Sequence, residues 1–348
     1  MSEKKKIVVG MSGGIDSSVT AYMLQQEGYE VEGVYMKLHD LREGYHEKNI
    51  DAGRRVADFL GIKYHVLDVS EKFEDEVYNY FVNSYLEGTT PNPCVKCNRG
   101  IKFGSMFDFA KENGADYLAT GHYVKTDGEF FYVAQDLSKD QSYFLSQVEK
   151  EVLPYLIFPM SKYKKEDIVK MGAKLAPIFK EITEKKESQE ICFVEDTYTD
   201  IIEKHAKVDM PGIVLDVDGN KVGTHKGYMH YTIGKRRGFT VNGAHEPHFV
   251  KELNPKDNTL VVAKKDAIGI NEVLINDLNM YIDDDEFEVG VKLRYRAVTT
   301  PSKVTIEKED GIATIQLKEP VYGVASGQLA VFYDEDKVIG SGWIVGTK

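Results

Sequence analysis

Cysteine is scarce: three residues in 348 exclude a disulfide scaffold. No apolar run approaches the roughly 20 residues that a bilayer crossing needs, which excludes a helical membrane span. An excess of positive charge is also missing. The 44 Lys and Arg residues stand against 56 Asp and Glu, a net charge of −12, which argues against a basic nucleic-acid tail or a membrane-surface protein. The charged Met1–Lys6 runs straight into Ile7-Val8-Val9 without an apolar signal core, so a soluble, cytoplasmic protein is expected. There are no internal repeats, and the acidic Asp283–Glu286 reads as a solvated turn. With 42% hydrophobic residues over this length, two or three globular domains are predicted.

The first half alternates strand and helix patterns. Strands are predicted at Lys5–Gly10, Val31–Met36, Tyr64–Val69 and Asp116–Thr120, and helices at Asp16–Gly28, Asn49–Leu60, Glu71–Tyr85 and Ile101–Asn113. Strands joined by helices of this length call for right-handed crossovers and a mainly parallel sheet. Glu129–Ala134 reads as a hairpin arm, and Glu149–Leu156 and Lys164–Leu175 as helical. Beyond Val194 short β runs with close turns take over, among them Ile213–Val217, Lys221–Thr224, Phe249–Leu253 and Thr259–Ala263. Alternation is clearest at Ile312–Leu317, Leu329–Tyr333 and Val338–Val345, which suggests small barrels. Boundaries are expected near residues 195 and 270, giving segments 1–195, 196–270 and 271–348.

Gly10-Met11-Ser12-Gly13-Gly14-Ile15-Asp16-Ser17 joins the first strand directly to a helix. Glycines let the backbone come close to a phosphate, and the amides and dipole of a helix start favour an anion. No Gly-Lys-Ser/Thr follows, so this is not a Walker-type loop. For Gly-Gly alone, a capped strand–helix turn would explain as much. The whole signature resembles the pyrophosphatase-loop ATP-binding family, whose members adenylate a carbonyl-type oxygen. That resemblance implies ATP, with Asp16 helping to hold Mg²⁺ and pyrophosphate.

Cys94 and Cys97 form a Cys-x-x-Cys in the proline-stiffened Thr90-Pro91-Asn92-Pro93 turn before a helix, and Cys192 stands alone in Ser188-Gln189-Glu190-Ile191-Cys192-Phe193. Lys96, Arg99, Lys102 and the helix start are expected to lower the thiol pKa values. Half of a structural zinc site competes for the pair, and a small buried hydrophobe for Cys192.

Taken with Ala119-Thr120-Gly121-His122-Tyr123, Lys139-Asp140-Gln141-Ser142-Tyr143-Phe144-Leu145 and Tyr231-Thr232-Ile233-Gly234-Lys235-Arg236-Arg237-Gly238, the phosphate loop and the cysteine motifs resemble the bacterial tRNA-specific 2-thiouridylase family, in the same order along the chain. The resemblance implies an α/β fold: a Rossmann-like parallel-sheet domain with a helical tRNA-binding insertion, then two small β-rich domains, the last a β-barrel. It implies ATP-dependent replacement of O2 by sulfur in the wobble uridine, position 34, of tRNAs for Lys, Glu and Gln. Gly10 to Ser17 would hold ATP, with Met36 and Gly121 against the nucleoside. Cys192 would receive sulfur as a persulfide from a donor protein, a cysteine desulfurase or a sulfur relay, and Cys97 would attack it. Asn92, Pro93 and Cys94 align with the segment that contacts the target base. Many members carry Asp where this chain has Cys94, and the third thiol opens a second route. Cys94, Cys97 and Cys192 together could ligate a [4Fe-4S] cluster that carries hydrosulfide. Spacing alone leaves both routes open.

A net charge of −12 opposes RNA binding, so local clusters must supply phosphate contacts. Lys96/Arg99/Lys102, Lys162/Lys164/Lys165, Lys185/Lys186, Lys235-Arg236-Arg237 and Arg294-Tyr295-Arg296 are the candidates, each of which reads singly as an ordinary solvated face. By the same resemblance His122, Lys139, Asp140, Gln141, Arg294, Tyr295 and Gln328 contact tRNA. Tyr123, Tyr143 and Phe144 are candidates for base stacking or for core. A tRNA-binding module with a silent loop and a small-molecule adenylating synthetase are the competing functions.

Overall fold

The computed structural model describes residues 4–183 and 191–348. The chain divides into two compact units, each built from separate stretches: one from residues up to Val77, Cys94–Phe193 and Asp336–Ile339, the other from Tyr78–Pro93, Val194–Glu335 and Gly340–Lys348.

In the first unit, among the described residues, five strands form a parallel sheet. They are β1 (Lys6–Gly10), β2 (Glu30–Lys37), β3 (Lys63–Asp68), β4 (Tyr117–Thr120) and a two-residue strand at Leu156–Ile157, in the order β3-β2-β1-β4 and then Leu156–Ile157. Ile7, Val8 and Val9 are all fully buried, as expected of a central strand covered on both faces. The chain builds outward from β1 to β3 and then returns to the other side of β1 as β4. Where strand order reverses in this way, a crevice opens beyond the carboxyl ends of the two strands. The segments after Gly10 and after Thr120 flank that crevice.

Helix α1 (Ile15–Gln26) buries Ile15, Val19, Ala21 and Leu24 in the core, and α2 (Tyr45–Leu60) buries Ala52, Val56, Ala57 and Leu60. Glu149–Leu156 differs from the helix expected. Lys150–Tyr155 is a 3₁₀ turn containing Pro154, and Leu156 pairs with Leu118 in the sheet. Proline cannot donate within a helix, so the turn stays short. The Cys-x-x-Cys also differs from expectation, because it lies on a helix and not in a preceding turn. Pro93–Lys96 is α-helical and continues as a π-helical stretch over Cys97–Ser105 into Met106–Glu112. Pro93 stands at the first helical position, where its missing N–H costs nothing.

In the second unit Gly212–Leu215, Lys221–His225, Phe249–Asn254 and Thr259–Ala263 form a small sheet with one parallel pairing, Leu260 to Val214. Six antiparallel strands then close a barrel: Gly269–Met280, Glu286–Lys292, Thr300–Glu307, Ile312–Tyr322, Leu329–Asp334 and Lys337–Thr347. The first and last strands complete the ring, with Ile275 opposite Ile344 and Val273 opposite Thr347. The first strand buries only Val273 and Ile275, with half-buried Glu272 and Leu274 and exposed Asn271, Asn276 and Asp277 around them, a pattern too weak for its sequence to announce it.

Buried Glu32 ties the edge of the parallel sheet together. Its carboxylate meets Lys6 Nζ at 3.0 Å, Lys63 Nζ at 3.1 Å and His65 Nε2 at 2.8 Å. Burial by itself would raise its pKa, but the hydrogen bonds from His65, Lys6 and Lys63 prevail and hold it at about 2. A folded-state value below the unfolded one gives stability that is complete above about pH 4.5 and is lost as pH falls toward 2. Denaturant titrations from pH 6 to 2.5 should show Glu32→Gln lacking roughly 3 kcal/mol of acid-sensitive stability that the unaltered chain possesses.

Candidate active site

Gly13 has φ +77° in the loop that follows β1, and a Cβ there would stand 2.7 Å from the Asn49 carbonyl oxygen of α2. Both facts require glycine. Gly14 caps α1 without any side-chain hydrogen bond, so the helix start lacks the usual occupant of its amides. Ser17 Oγ turns inward, accepting from Ser12 N at 3.2 Å and donating to the Gly14 carbonyl at 3.1 Å. Gly121, just beyond β4, is pressed against the same helix start: a Cβ there would lie 2.8 Å from Ser17 N. The expected loop residues and Gly121 therefore meet at the crevice. Ser12 is exposed, whereas the Met11 and Ile15 side chains are buried, so only their backbone can serve a ligand. Gly10 packs near Met106, and Met36 is half-buried at the end of β2.

Asp16 is the acidic group of the loop. Tyr123 Oη donates to one of its oxygens at 2.8 Å, and Lys165 Nζ contacts the other at 2.6 Å. Lys165 begins the Lys165–Leu175 helix. Sequence reading placed it among surface RNA-binding lysines, and no signal in the chain marked it as a partner for Asp16, 149 positions away. Tyr123 and Tyr143 are core residues, 3% and 0% exposed, which decides against base stacking for both; Phe144 is half-buried.

All three thiols are free and belong to the first unit. Contrary to expectation, none is held low. Burial raises Cys94, burial pushes Cys97 up to about 11, and burial pushes Cys192 up to about 12. Lys102 opposes the rise at each, and the charges of Cys97 and Cys94 add to that at Cys192. Desolvation outweighs one cation here. Distant Cys192 thus shares an electrostatic neighbourhood with the pair. Ser188, Gln189 and Glu190 of its motif, and Lys185 and Lys186, lie outside the described residues. Among the described residues, no three His, Cys, Asp or Glu side chains are grouped so as to hold a metal ion.

Lys102 Nζ also lies 3.4 Å from His122 Nε2, while His122 Nδ1 is 2.7 Å from Thr120 Oγ1. Burial first, and Lys102 second, keep His122 far below its usual pKa. A neutral ring facing an ammonium group must offer its Nε2 lone pair, so Nδ1 carries the proton and donates to Thr120. Asp140 is buried and occupied internally, accepting from Ala134 N, Ser142 N and Ser142 Oγ. Gln141 accepts from Tyr123 N at 2.9 Å, and Lys139 is half-buried on the same turn.

Asn92 and Pro93 fall in the second unit, where Asn92 N donates to Tyr80 Oη at 3.3 Å. Within that unit Arg294, Gln328, Thr90 and Lys235 line an open cavity of about 330 Å³. Arg294 Nη2 donates to the Ile233 carbonyl at 3.1 Å, and Gln328 Nε2 donates to the Thr90 and Pro91 carbonyls. Tyr295 is half-buried beside exposed Arg296.

The thiol environment has a direct chemical consequence. With Cys97 near 11 and Cys192 near 12, thiolate rises about tenfold per pH unit through the neutral and mildly alkaline range. Iodoacetamide labelling followed by peptide mass spectrometry should accelerate at both residues from pH 7 to 10 without a plateau. A plateau near pH 8 would contradict the desolvated setting.

Family models match along the chain: "tRNA methyl transferase HUP domain" over residues 5–196, "tRNA methyl transferase PRC-barrel domain" over 199–264 and "Aminomethyltransferase beta-barrel domain" over 270–344. A protein of Aliarcobacter butzleri named tRNA-specific 2-thiouridylase MnmA 1 is 69% identical over 345 residues, 99% of either chain. One from Sulfurimonas denitrificans, named tRNA-specific 2-thiouridylase MnmA, is 54% identical over 340 residues, 98% of either chain. Among solved structures, the U34-tRNA thiolase NcsA from Methanococcus maripaludis with its [4Fe-4S] cluster aligns at TM-score 0.33 and 21% identity, covering 57% of this chain and 64% of that one. With near-complete coverage at such identity, and with a glycine-built phosphate loop and three cysteines in one unit, the chain belongs to the tRNA-specific 2-thiouridylase MnmA family.

Proposed function

We propose that this chain is a tRNA-uridine 2-sulfurtransferase of the cytoplasm, using Mg²⁺-ATP to adenylate O2 of the wobble uridine in tRNAs for Lys, Glu and Gln, then replacing that oxygen with sulfur. A uracil oxygen is a poor leaving group, whereas AMP leaves readily, which is why ATP and thiols belong in one site. What carries the reading is the combination of an uncapped helix start beside Gly13 and Gly121 with three free thiols in the same unit, where the charges of Cys97 and Cys94 reach Cys192.

Gly10, Met11, Ser12, Gly13, Gly14, Ile15 and Ser17 would bind the phosphates, chiefly through backbone amides, with Met36 and Gly121 against the nucleoside. Asp16 would turn to Mg²⁺, releasing Lys165 toward the phosphates. A cysteine desulfurase or sulfur relay would load Cys192 as a persulfide. Cys97 thiolate would attack the inner sulfur, forming the Cys97–Cys192 disulfide and expelling hydrosulfide. Hydrosulfide would then displace AMP from C2, and a thiol reductant would reset the pair. Asn92, Pro93 and Cys94 would meet the target base, while His122, Lys139, Gln141, Arg294, Tyr295 and Gln328 would contact tRNA, with Asp140 shaping its turn from within. Residues 1–195 would act as the catalytic part with its helical tRNA-binding insertion, followed by a β domain at 196–270 and the barrel at 271–348.

Cys97→Ser and Cys192→Ser should each reduce 2-thiouridine, measured by nucleoside mass spectrometry, below detection while leaving tRNA binding within about twofold. Thiolation surviving in either variant refutes the assigned roles. Cys94→Asp should stay active if that position serves the target base, and iron counting on anaerobically purified protein tests the cluster route in parallel. tRNA-stimulated ATP–pyrophosphate exchange separates an enzyme from a silent binding module.

A further inference from the structure

The segment from the end of β2 to the first residue of α2 carries no assigned role, yet it grips Cys192 from two directions. Arg42 Nη1 donates to the Cys192 carbonyl at 3.1 Å, across 150 positions of sequence. The Arg42 guanidinium lies 4.5 Å from the centre of the Tyr45 ring. Tyr45 stacks in turn on His39, with centroids 5.7 Å apart and planes 22° apart. His39 meets Phe193 edge-on at 6.5 Å, and Phe193 packs against Phe73 at 5.7 Å. The peptide of Cys192 and the ring of the next residue are therefore both held by residues 39–45.

Such a tether has physical work to perform. Ile191–Val194 lies in a turn outside any helix or strand, so no backbone ladder fixes the direction of the Cys192 side chain. A guanidinium that rests on an aromatic face is already oriented, so its hydrogen bond costs little further ordering. Burial leaves His39 uncharged, with a pKa of about 4, so the cation in this stack is Arg42. The charge of Cys192 also contributes to the raised pKa of Tyr45, placing that phenol within electrostatic reach of the cysteine.

We propose that Arg42 is a positioning residue for sulfur transfer: through Tyr45 and the Cys192 carbonyl it holds Cys192 toward Cys97, and it takes no part in adenylation. This rests on the thiolation reading. The step served is attack of Cys97 thiolate on the inner sulfur of the Cys192 persulfide, which makes the intramolecular disulfide as hydrosulfide leaves with the bonding pair. Geometry decides its rate, because the two sulfurs must approach in line.

The test uses the full-length protein, Arg42→Met and Arg42→Lys, with three readouts. They are tRNA-stimulated ATP–pyrophosphate exchange, single-turnover thiolation after persulfide loading, and the rate of Cys97–Cys192 cross-linking by diamide, followed by peptide mass spectrometry. For Arg42→Met, exchange should remain within about twofold, while thiolation and cross-linking slow by about tenfold or more, the scale of one lost charge-assisted hydrogen bond. Arg42→Lys should fall between. Unchanged cross-linking, or exchange falling in step with thiolation, overturns the proposal. If Arg42→Met fails to fold, Tyr45→Leu removes the stacking platform and must reproduce the same split. A wild-type chain with neither exchange nor thiolation would sink the enzymatic reading, whereas the cross-linking comparison would still judge the placement of Cys192.

Discussion

Close backbone approach around the turn after β1 is the constraint on which the site depends. Gly13 sits against the Asn49 carbonyl and Gly121 against Ser17 N, both at distances no side chain tolerates. These two contacts draw the end of β1, the end of β4 and the start of α2 onto one helix terminus. No side-chain cap occupies the amides of that terminus, because the cap is a glycine. Asp16 is then turned toward Tyr123 and Lys165, so the loop's one carboxylate is neutralised by a lysine from another helix. A phosphate site assembled in this way depends on backbone shape more than on charged side chains.

Desolvation governs the neighbouring chemistry. Burial lifts the pKa of all three thiols, and a desolvated setting of that kind keeps water, a competing nucleophile, away from reactive groups. Lys102 is the local counterweight, acting on Cys94, Cys97 and Cys192 while it also faces His122. The π-helical stretch beginning at Cys97 belongs to this picture, since widened helical turns alter the direction in which successive side chains project and cluster at functional positions.

The negative total charge coexists with exposed Lys235, Arg236, Arg237, Arg294 and Arg296 in the second unit. Several acidic residues of the barrel are paired locally, as with Glu286 and Lys303 or Glu288 and Lys318. Screening confines such pairs to their own vicinity, so a basic surface persists beside them. Net charge describes solubility and long-range repulsion, while phosphate contacts depend on which cations stand together.

By itself the sequence determined the parallel sheet, because buried strands separated by amphipathic helices admit few other arrangements, and it marked the glycine loop, because Ser-Gly-Gly-x-Asp-Ser at a strand end is a local signal. It also announced the late barrel strands with clean alternation. It could not reveal the strand at Gly269–Met280, whose buried Val273 and Ile275 are diluted by polar neighbours, or the strand at Leu156–Ile157, whose two residues carry no period. Only the tertiary structure decided that Lys165 meets Asp16, that Arg42 holds the Cys192 carbonyl, and that burial overrides Lys102 at all three thiols. Desolvation and long-range contacts depend on what the fold packs around a group, and no local pattern of residues encodes that.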